Sequence, residues 1–327
     1  MLRDVEDAVP YNYYIYLMEV ITMGKVSVAE IKELMKSTGV GMMDCKKALE
    51  ENDGDMDKAI EFLREKGLAT QAKKSGRAAA EGVVATVVNN GVGVMVEINT
   101  ETDFAANTDD IRNFVANVAN TIIEKNPADV EALKNEAIVG GTGTVGEALT
   151  ELAGMKIREN IVIRRFVRFE GKLASYIHNN GSIGVMVKME SDLPAEAIAA
   201  IGKDVAMQSA ALNAPYLCRE QVPAEVLEKE KEIMLAQMAE DPKMANKPEQ
   251  VRAKIVEGKV GKYYKENCLL EQAFVKDDKV SVQEYVAAEA KKLGGSITVA
   301  EVVRFERGEG VEKKEDNLAD EVASMLK

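Results

Sequence analysis

Three observations predict an α+β fold built on antiparallel sheets. First, Asn89-Asn90-Gly91 followed by Gly93-Val94-Met95-Val96 recurs as Asn179-Asn180-Gly181 followed by Gly184-Val185-Met186-Val187, so one unit of turn and apolar strand occurs twice. Second, strands and helices segregate after Glu81 rather than alternating as in a parallel doubly wound sheet. Third, apolar residues at three- and four-residue spacing mark out three short helices ahead of both copies.

The first 22 residues precede all of this. Tyr11, Tyr13, Tyr14 and Tyr16 cluster there, bracketed by Pro10 and Glu19. Asp4, Glu6 and Asp7 occupy the place where a signal peptide carries positive charge, which argues against secretion. The expectation is that the true start is Met23 and that the segment before it is an extension without its own fold. Ser27-Val28-Ala29-Glu30 then forms a capping box, and Ile31, Leu34 and Met35 give the first helix its apolar face. Thr38-Gly39-Val40-Gly41 turns the chain, and Met42, Cys45, Ala48 and Leu49 line one face of a second helix. Asn52-Asp53-Gly54 turns it again into a third helix through Met56, Ala59, Ile60 and Leu63, with Gly67 as its stop. A Lys- and Ala-rich stretch from Ala69 to Ala80 reads as a tether. Met43 falls off the buried stripe and shares a face with Lys46, Lys47 and Glu50. It is either half-buried against a neighbouring helix or a soft contact point for a partner.

Val83–Val88, the Asn-Asn-Gly turn and Val92–Ile98 predict a hairpin. Helices are expected over Asp109–Lys125 and from about Ala128 to Val139. A second half opens with strands at Ile161–Phe169, Leu173–His178 and Ile183–Met189, followed by a helix over Ala195–Ala211. The last strand, Ile297–Glu306, contains Val303-Arg304-Phe305-Glu306, an echo of Val167-Arg168-Phe169-Glu170. Between them, Pro223–Ala239 and Val251–Tyr264 form two helices around a Pro-bounded turn. The narrow apolar seam of this hairpin either packs against a partner or second copy, or closes on itself.

The two copies differ just after the strand. The first continues Asn99-Thr100-Glu101-Thr102-Asp103-Phe104-Ala105-Ala106-Asn107, where the second moves through Ser191-Asp192-Leu193-Pro194 into its helix. A loop present in one copy alone is where a functional device would sit. The competing reading tucks Phe104 back into its own core.

Composition narrows the function classes. A chain of 327 residues with a formal net charge of −13 has no basic surplus for neutralising phosphates, which argues against nucleic acid as the main ligand. Lys73, Lys74 and Arg77 form a local basic cluster that reads as a solvated linker. Three scattered cysteines (Cys45, Cys218 and Cys268) and a single histidine give no metal-site spacing, and odd, isolated thiols suit a reducing cytosol. No run reaches the ~18 apolar residues of a membrane span. Gly141-Thr142-Gly143-Thr144-Val145-Gly146 spells a dinucleotide fingerprint but follows a helix and lacks a βαβ setting, which disfavours an oxidoreductase. No phosphate loop is present, and His178, beside a turn with no nearby nucleophile, reads as a surface contact. The expectation is a protein that is not an enzyme and carries no cofactor.

Thr38-Gly39-Val40-Gly41-Met42-Met43-Asp44-Cys45-Lys46-Lys47-Ala48-Leu49, together with Thr102-Asp103-Phe104 and the Gly308-Glu309-Gly310-Val311-Glu312-Lys313 stretch, closely resembles the bacterial elongation factor Ts family. These are the nucleotide-exchange factors of elongation factor Tu. The resemblance implies an extension at 1–23 and a ubiquitin-associated (UBA)-like helical domain with linker at 24–76. It implies a core of two related subdomains at 77–160 and at 161–222 with 269–306, a helical hairpin or coiled coil at 223–268, and a C-terminal module at 307–327. It also implies cytoplasmic work on elongation factor Tu, GDP-bound and nucleotide-free, with a homodimer through the hairpin as an open alternative and no direct nucleic acid or membrane. In the family, the Asp-Phe pair enters the partner's GTPase domain near the nucleotide's Mg²⁺, and the Phe wedges between helices. Carried over by motif, that role falls on Asp103 and Phe104, framed by Thr102 and Ala105. Met42, Met43, Lys46 and His178 are the expected partner contacts. Ala105 stands where many relatives carry Val, so less apolar contact is expected beside the wedge, and Gly181-Ser182 replaces a more basic turn. The alternative is a UBA-like adaptor that binds a protein without changing its ligand affinity.

Overall fold

The computed structural model describes residues 26–241, 244 and 247–311. The expected extension at 1–23, the Met23 start, most of the expected C-terminal module and half of the hairpin's turn lie outside the described residues.

Three helices come first: α1 (Val28–Thr38), α2 (Met42–Glu51) and α3 (Met56–Lys74). The Ser27–Glu30 capping box is formed at the start of α1. Leu34, Cys45, Ala48, Leu49 and Leu63 make the shared core. Two expectations change here. Met42 is 51% exposed rather than part of the buried face. Helical spacing selects an angular stripe, but it does not say how far along the axis the neighbouring helices reach. Gly67 does not stop α3, which runs on through the first half of the supposed tether. Its lack of a side chain serves a crossing instead: a Cβ on Gly154 would lie 2.7 Å from the Gly67 Cα. Gly154 belongs to a π-helical segment, Leu152–Lys156, and its neighbour Met155 completes the three-helix core. The helical unit is therefore docked on the rest of the protein through a backbone-to-backbone contact.

The remainder holds two three-stranded antiparallel sheets. The first has the order β1 (Glu81–Asn89), β2 (Val92–Thr100), β3 (Val162–Glu170). The second has the order β4 (Lys172–His178), β5 (Ile183–Ser191), β8 (Ile297–Glu306). β3, read in the sequence as opening the second half, pairs with β2 instead. The register explains the echo: Gly93 faces Phe169 across one sheet as Gly184 faces Phe305 across the other. Each pairing then slips once, after Glu97 in the first copy and after Lys188 in the second, four residues beyond the paired glycine in both.

The sheets pack face to face through Val84, Met95, Met186 and Phe305. The contact is reciprocal: a Cβ on Gly93 would meet the Met186 sulfur at 3.1 Å, and one on Gly184 would meet the Met95 sulfur at 3.0 Å. On its other face the first sheet buries Val94, Val96 and Ile98 under α5 (Asp109–Lys125), with Leu133 of α6 (Val130–Asn135) and Leu149 of α7 (Val145–Glu151). The second buries Val185, Val187 and Met189 under α8 (Ala195–Ala211) and α11 (Val282–Leu293). With both faces covered, the first five residues of β2 and of β5 carry no polar side chain, rather than alternating. The helix expected to reach Val139 ends at Asn135, because Ala137 bridges to Thr144. The Gly141–Gly146 stretch is the loop into α7, which Thr144 and Glu147 start with a capping box.

Two helices, α9 (Ala224–Glu240) and α10 (Glu249–Asn267), pack on each other as a hairpin that buries Met238 and Val256. A short β6–β7 hairpin (Ala273–Phe274, Asp277–Ser281) leads from it to α11. Residues 307–309 return to the first sheet. Buried Glu97 accepts from Arg165 Nε at 2.6 Å, Arg164 Nη1 at 3.0 Å and the backbone N–H of Gly308 at 2.9 Å. Arg307 adds an ion pair to Glu81 at 2.9 Å.

Candidate functional site

The loop that breaks the repeat folds into a single helical turn, α4 (Asp103–Ala106), between β2 and α5. Thr102 is its N-cap, with Thr102 Oγ1 accepting from the Ala105 N–H at 3.2 Å. The Thr102 backbone N–H and hydroxyl donate to the two carboxylate oxygens of Glu159, at 3.0 and 2.8 Å. Thr100 anchors the approach by donating to the Thr102 carbonyl at 2.7 Å. Asn107 closes the turn, its side chain donating to the Asp103 carbonyl at 2.8 Å.

This framework holds Phe104 outward. Its ring is 83% exposed, so the reading that tucks it into the core fails. A large apolar side chain kept in water on a capped turn is the arrangement of a contact residue. Asp103 beside it is also exposed. Ala105 faces inward at 4% exposure, so the expectation that its small size thins the contact beside the wedge is corrected. Its side chain meets the interior.

A concavity of about 620 Å³ opens beside the ring, lined by Asp103, Phe104, Asn107, Asn179, Asn180 and Arg307 among others. The second copy's turn is therefore brought to the first copy's device, and Asn180 donates to Asn107 Oδ1 at 3.0 Å. His178 is exposed but lies outside the lining, with its Nδ1 3.1 Å from the Tyr176 hydroxyl. Asn179 and Asn180 are the residues of that turn that reach the concavity.

Met42, Met43 and Lys46 occupy another surface, on α2, and do not line the concavity. Met43 is 76% exposed, which removes the half-buried alternative. Lys46 is exposed and sits 3.7 Å from Glu50. Asp44, next in sequence, turns back toward the protein, accepting from Lys66 Nζ at 2.7 Å and pairing with Arg158. The Lys66 hydrogen bond, with the Arg158 charge beside it, holds the Asp44 carboxyl below its ordinary range against the opposing effect of burial.

The basic cluster is not simply solvated, since Arg77 Nη1 lies 3.4 Å from Glu101 Oε2. Glu159 and Asn160 were not singled out in the sequence, and Asn107 and Asn180 were read there only as loop and turn residues. The one local signal was a polar Glu-Asn pair between Ile157 and Ile161, where a turn into a strand would ordinarily suffice. Among the described residues, no cluster of three His, Cys, Asp or Glu side chains is placed to hold a metal. No helix among them is long and apolar enough to cross a membrane.

Comparison with known proteins bears directly on these features. The family described as Elongation factor TS matches residues 101–309, which include the capped turn, both later strands of the echo and the hairpin. Elongation factor Ts of Trichlorobacter lovleyi is 48% identical over 308 residues, covering 91% of this chain and 98% of that protein. Its namesake in Clostridium perfringens is 48% identical over 305 residues, covering 92% and 99%. That of Syntrophotalea carbinolica is 46% identical over 307 residues, covering 93% and 100%. Identity of this extent covers nearly the whole of both chains, and the chain belongs to the elongation factor Ts family.

Proposed function

We propose that this chain binds elongation factor Tu in its GDP-bound form and speeds GDP release by disturbing the partner's Mg²⁺ and phosphate contacts, so that GTP can reload. The observation that carries the reading is Phe104, held in water on a turn capped from both sides. An exposed ring costs the free protein part of its hydrophobic stabilisation and regains it on insertion into a complementary groove. Asp103 would bring its charge to the same place, where a carboxylate repels phosphate and competes for the metal's surroundings. Met42, Met43 and Lys46 offer a second contact through soft thioethers and one cation. The Asn179–Asn180 turn offers a third.

This is work a protein can do as a non-enzyme without a cofactor. Factor and nucleotide bind one partner antagonistically, so each lowers the other's affinity by the same factor. The reading is tested by release of a fluorescent GDP from elongation factor Tu. Substoichiometric amounts of this chain should accelerate release repeatedly, and calorimetry of the chain with GDP alone should be flat. Binding of the partner with unchanged release would support the UBA-like adaptor instead.

A further inference from the structure

Phe104 needs more than exposure to act as a wedge; it must be aimed. A four-residue helix is far below the length at which helices hold themselves, so the direction of its side chains is set by its caps. At α4 the cap is itself held. Thr102 Oγ1 accepts from the Ala105 N–H while its own proton goes to Glu159, which also takes the Thr102 N–H. With both of its ends engaged, the hydroxyl has one orientation.

Glu101 answers from the opposite side. Its carboxylate accepts the Asn160 N–H at 2.6 Å, and buried Asn160 donates its side chain to the Arg77 carbonyl at 2.7 Å. Two stretches, 101–102 and 159–160, thus each give a backbone N–H to the other's carboxylate. The residue before Glu159 extends the arrangement: Arg158 sits at φ 60° and pairs with Asp44, the neighbour of Met43. A left-handed backbone at a residue with a Cβ is held by the contacts around it.

We propose that Glu159 is a positioning residue for Phe104, and that 158–160 forms a brace fixing the wedge turn relative to the Met42–Met43 surface. The proposal rests on the exchange reading above and adds to it how the two contact surfaces are kept in register. A partner that must engage both surfaces then meets a preorganised pair, and loses less freedom on the way to the state that expels nucleotide.

The test uses the full chain in stopped-flow GDP release from elongation factor Tu, over a range of chain concentrations. Glu159→Ala should lower the maximal rate about tenfold, on the order of 1.4 kcal/mol. The half-saturating concentration should move by less than about threefold, because the contact residues remain. Glu159→Gln, which keeps the shape and one strong acceptor, should recover part of the loss. In a Phe104→Ala background, adding Glu159→Ala should change the maximal rate by less than about twofold, since no ring is left to aim. Multiplying effects in the double variant would overturn the proposal. So would a normal maximal rate for folded Glu159→Ala alongside a slow Phe104→Ala. A normal rate for Phe104→Ala itself would refute the wedge reading, and the brace with it. If circular dichroism shows Glu159→Ala unfolded, Thr102→Val must give the same split between rate and half-saturation, with rescue by Thr102→Ser. Failure of that pattern also overturns the proposal.

Discussion

Replacing Phe104 by Ala separates folding from function, because the ring contributes almost nothing to the protein's own core. With 83% of the residue in solvent, its removal opens no cavity. Alanine is also the better helix former, so Tm should stay within about 2 °C of the parent. The cost should appear only in the complex. A phenylalanine carries roughly 200 Å² of surface, of which insertion can withdraw on the order of 150 Å². At about 25 cal/mol per Å² that gives an upper bound near 4 kcal/mol. Alanine retains a methyl group and the inserted ring loses rotamer freedom, so the working figure is about 2–3 kcal/mol. If that energy is realised mainly in the step that expels nucleotide, the maximal rate falls roughly 30- to 150-fold, at 1.4 kcal/mol per decade. Half-saturation should change far less, since the α2 surface still docks. Stopped-flow GDP release at saturating chain measures the rate, and circular dichroism provides the folding control. A folded Phe104→Ala protein that releases GDP at the parent's rate would refute the wedge.

Three further outcomes follow from other parts of the fold. Met43→Ala should weaken association with elongation factor Tu in calorimetry while leaving thermal unfolding nearly unchanged, since the side chain is exposed; a large melting shift would return it to the core. Gly154→Ala should destabilise by about 1–3 kcal/mol, because its new methyl meets the α3 backbone rather than a yielding side chain. Denaturant unfolding of that variant checks the size, and a neutral result would show that α3 can lift without loss. Asp44 is held below its ordinary titration range by Lys66, so its contribution is present above the unfolded aspartate value of about 3.9 and is lost as pH falls through the lower, folded value. Melting curves below about pH 4 should therefore fall more steeply for the parent than for Asp44→Asn. Parallel slopes would remove Asp44 from the acid response.

The elements that sequence reasoning placed well are those with strong local signals. The Asp109–Lys125 and Ala195–Ala211 helices and the Ile297–Glu306 strand have the expected limits, and Ser27 caps as its pattern implies. The misplacements have one physical origin. Gly67, Met42 and the partner of β3 were each decided by what lies across a contact, and local spacing carries no information about that. Gly67 reads as a stop until Gly154 is opposite it, and β3 reads as the start of a second half until β2 is beside it. The site divides the same way. Phe104 was conspicuous because one copy has it and the other does not, whereas Glu159 and Asn160 carry no more local mark than a polar pair between two isoleucines. Their partners lie 57 and 59 positions away, at Thr102 and Glu101. Ala105 shows the limit of reading a motif as a unit, since one helical turn exposes Asp103 and Phe104 and buries Ala105 and Ala106.

The return of Gly308 to Glu97 has a bearing on how this molecule comes into being. A carboxylate inside a sheet is costly until its hydrogen bonds are complete, and one of its donors here is the backbone of Gly308, 211 positions later. The first sheet is therefore completed only after the second half of the chain has been made. Until residues 306–309 arrive, Arg164 and Arg165 hold Glu97 without that lid. Two halves that look like tandem copies in the sequence cannot be separated without loss. Cutting between them would leave a buried charge on one side and a strand without its far anchor on the other.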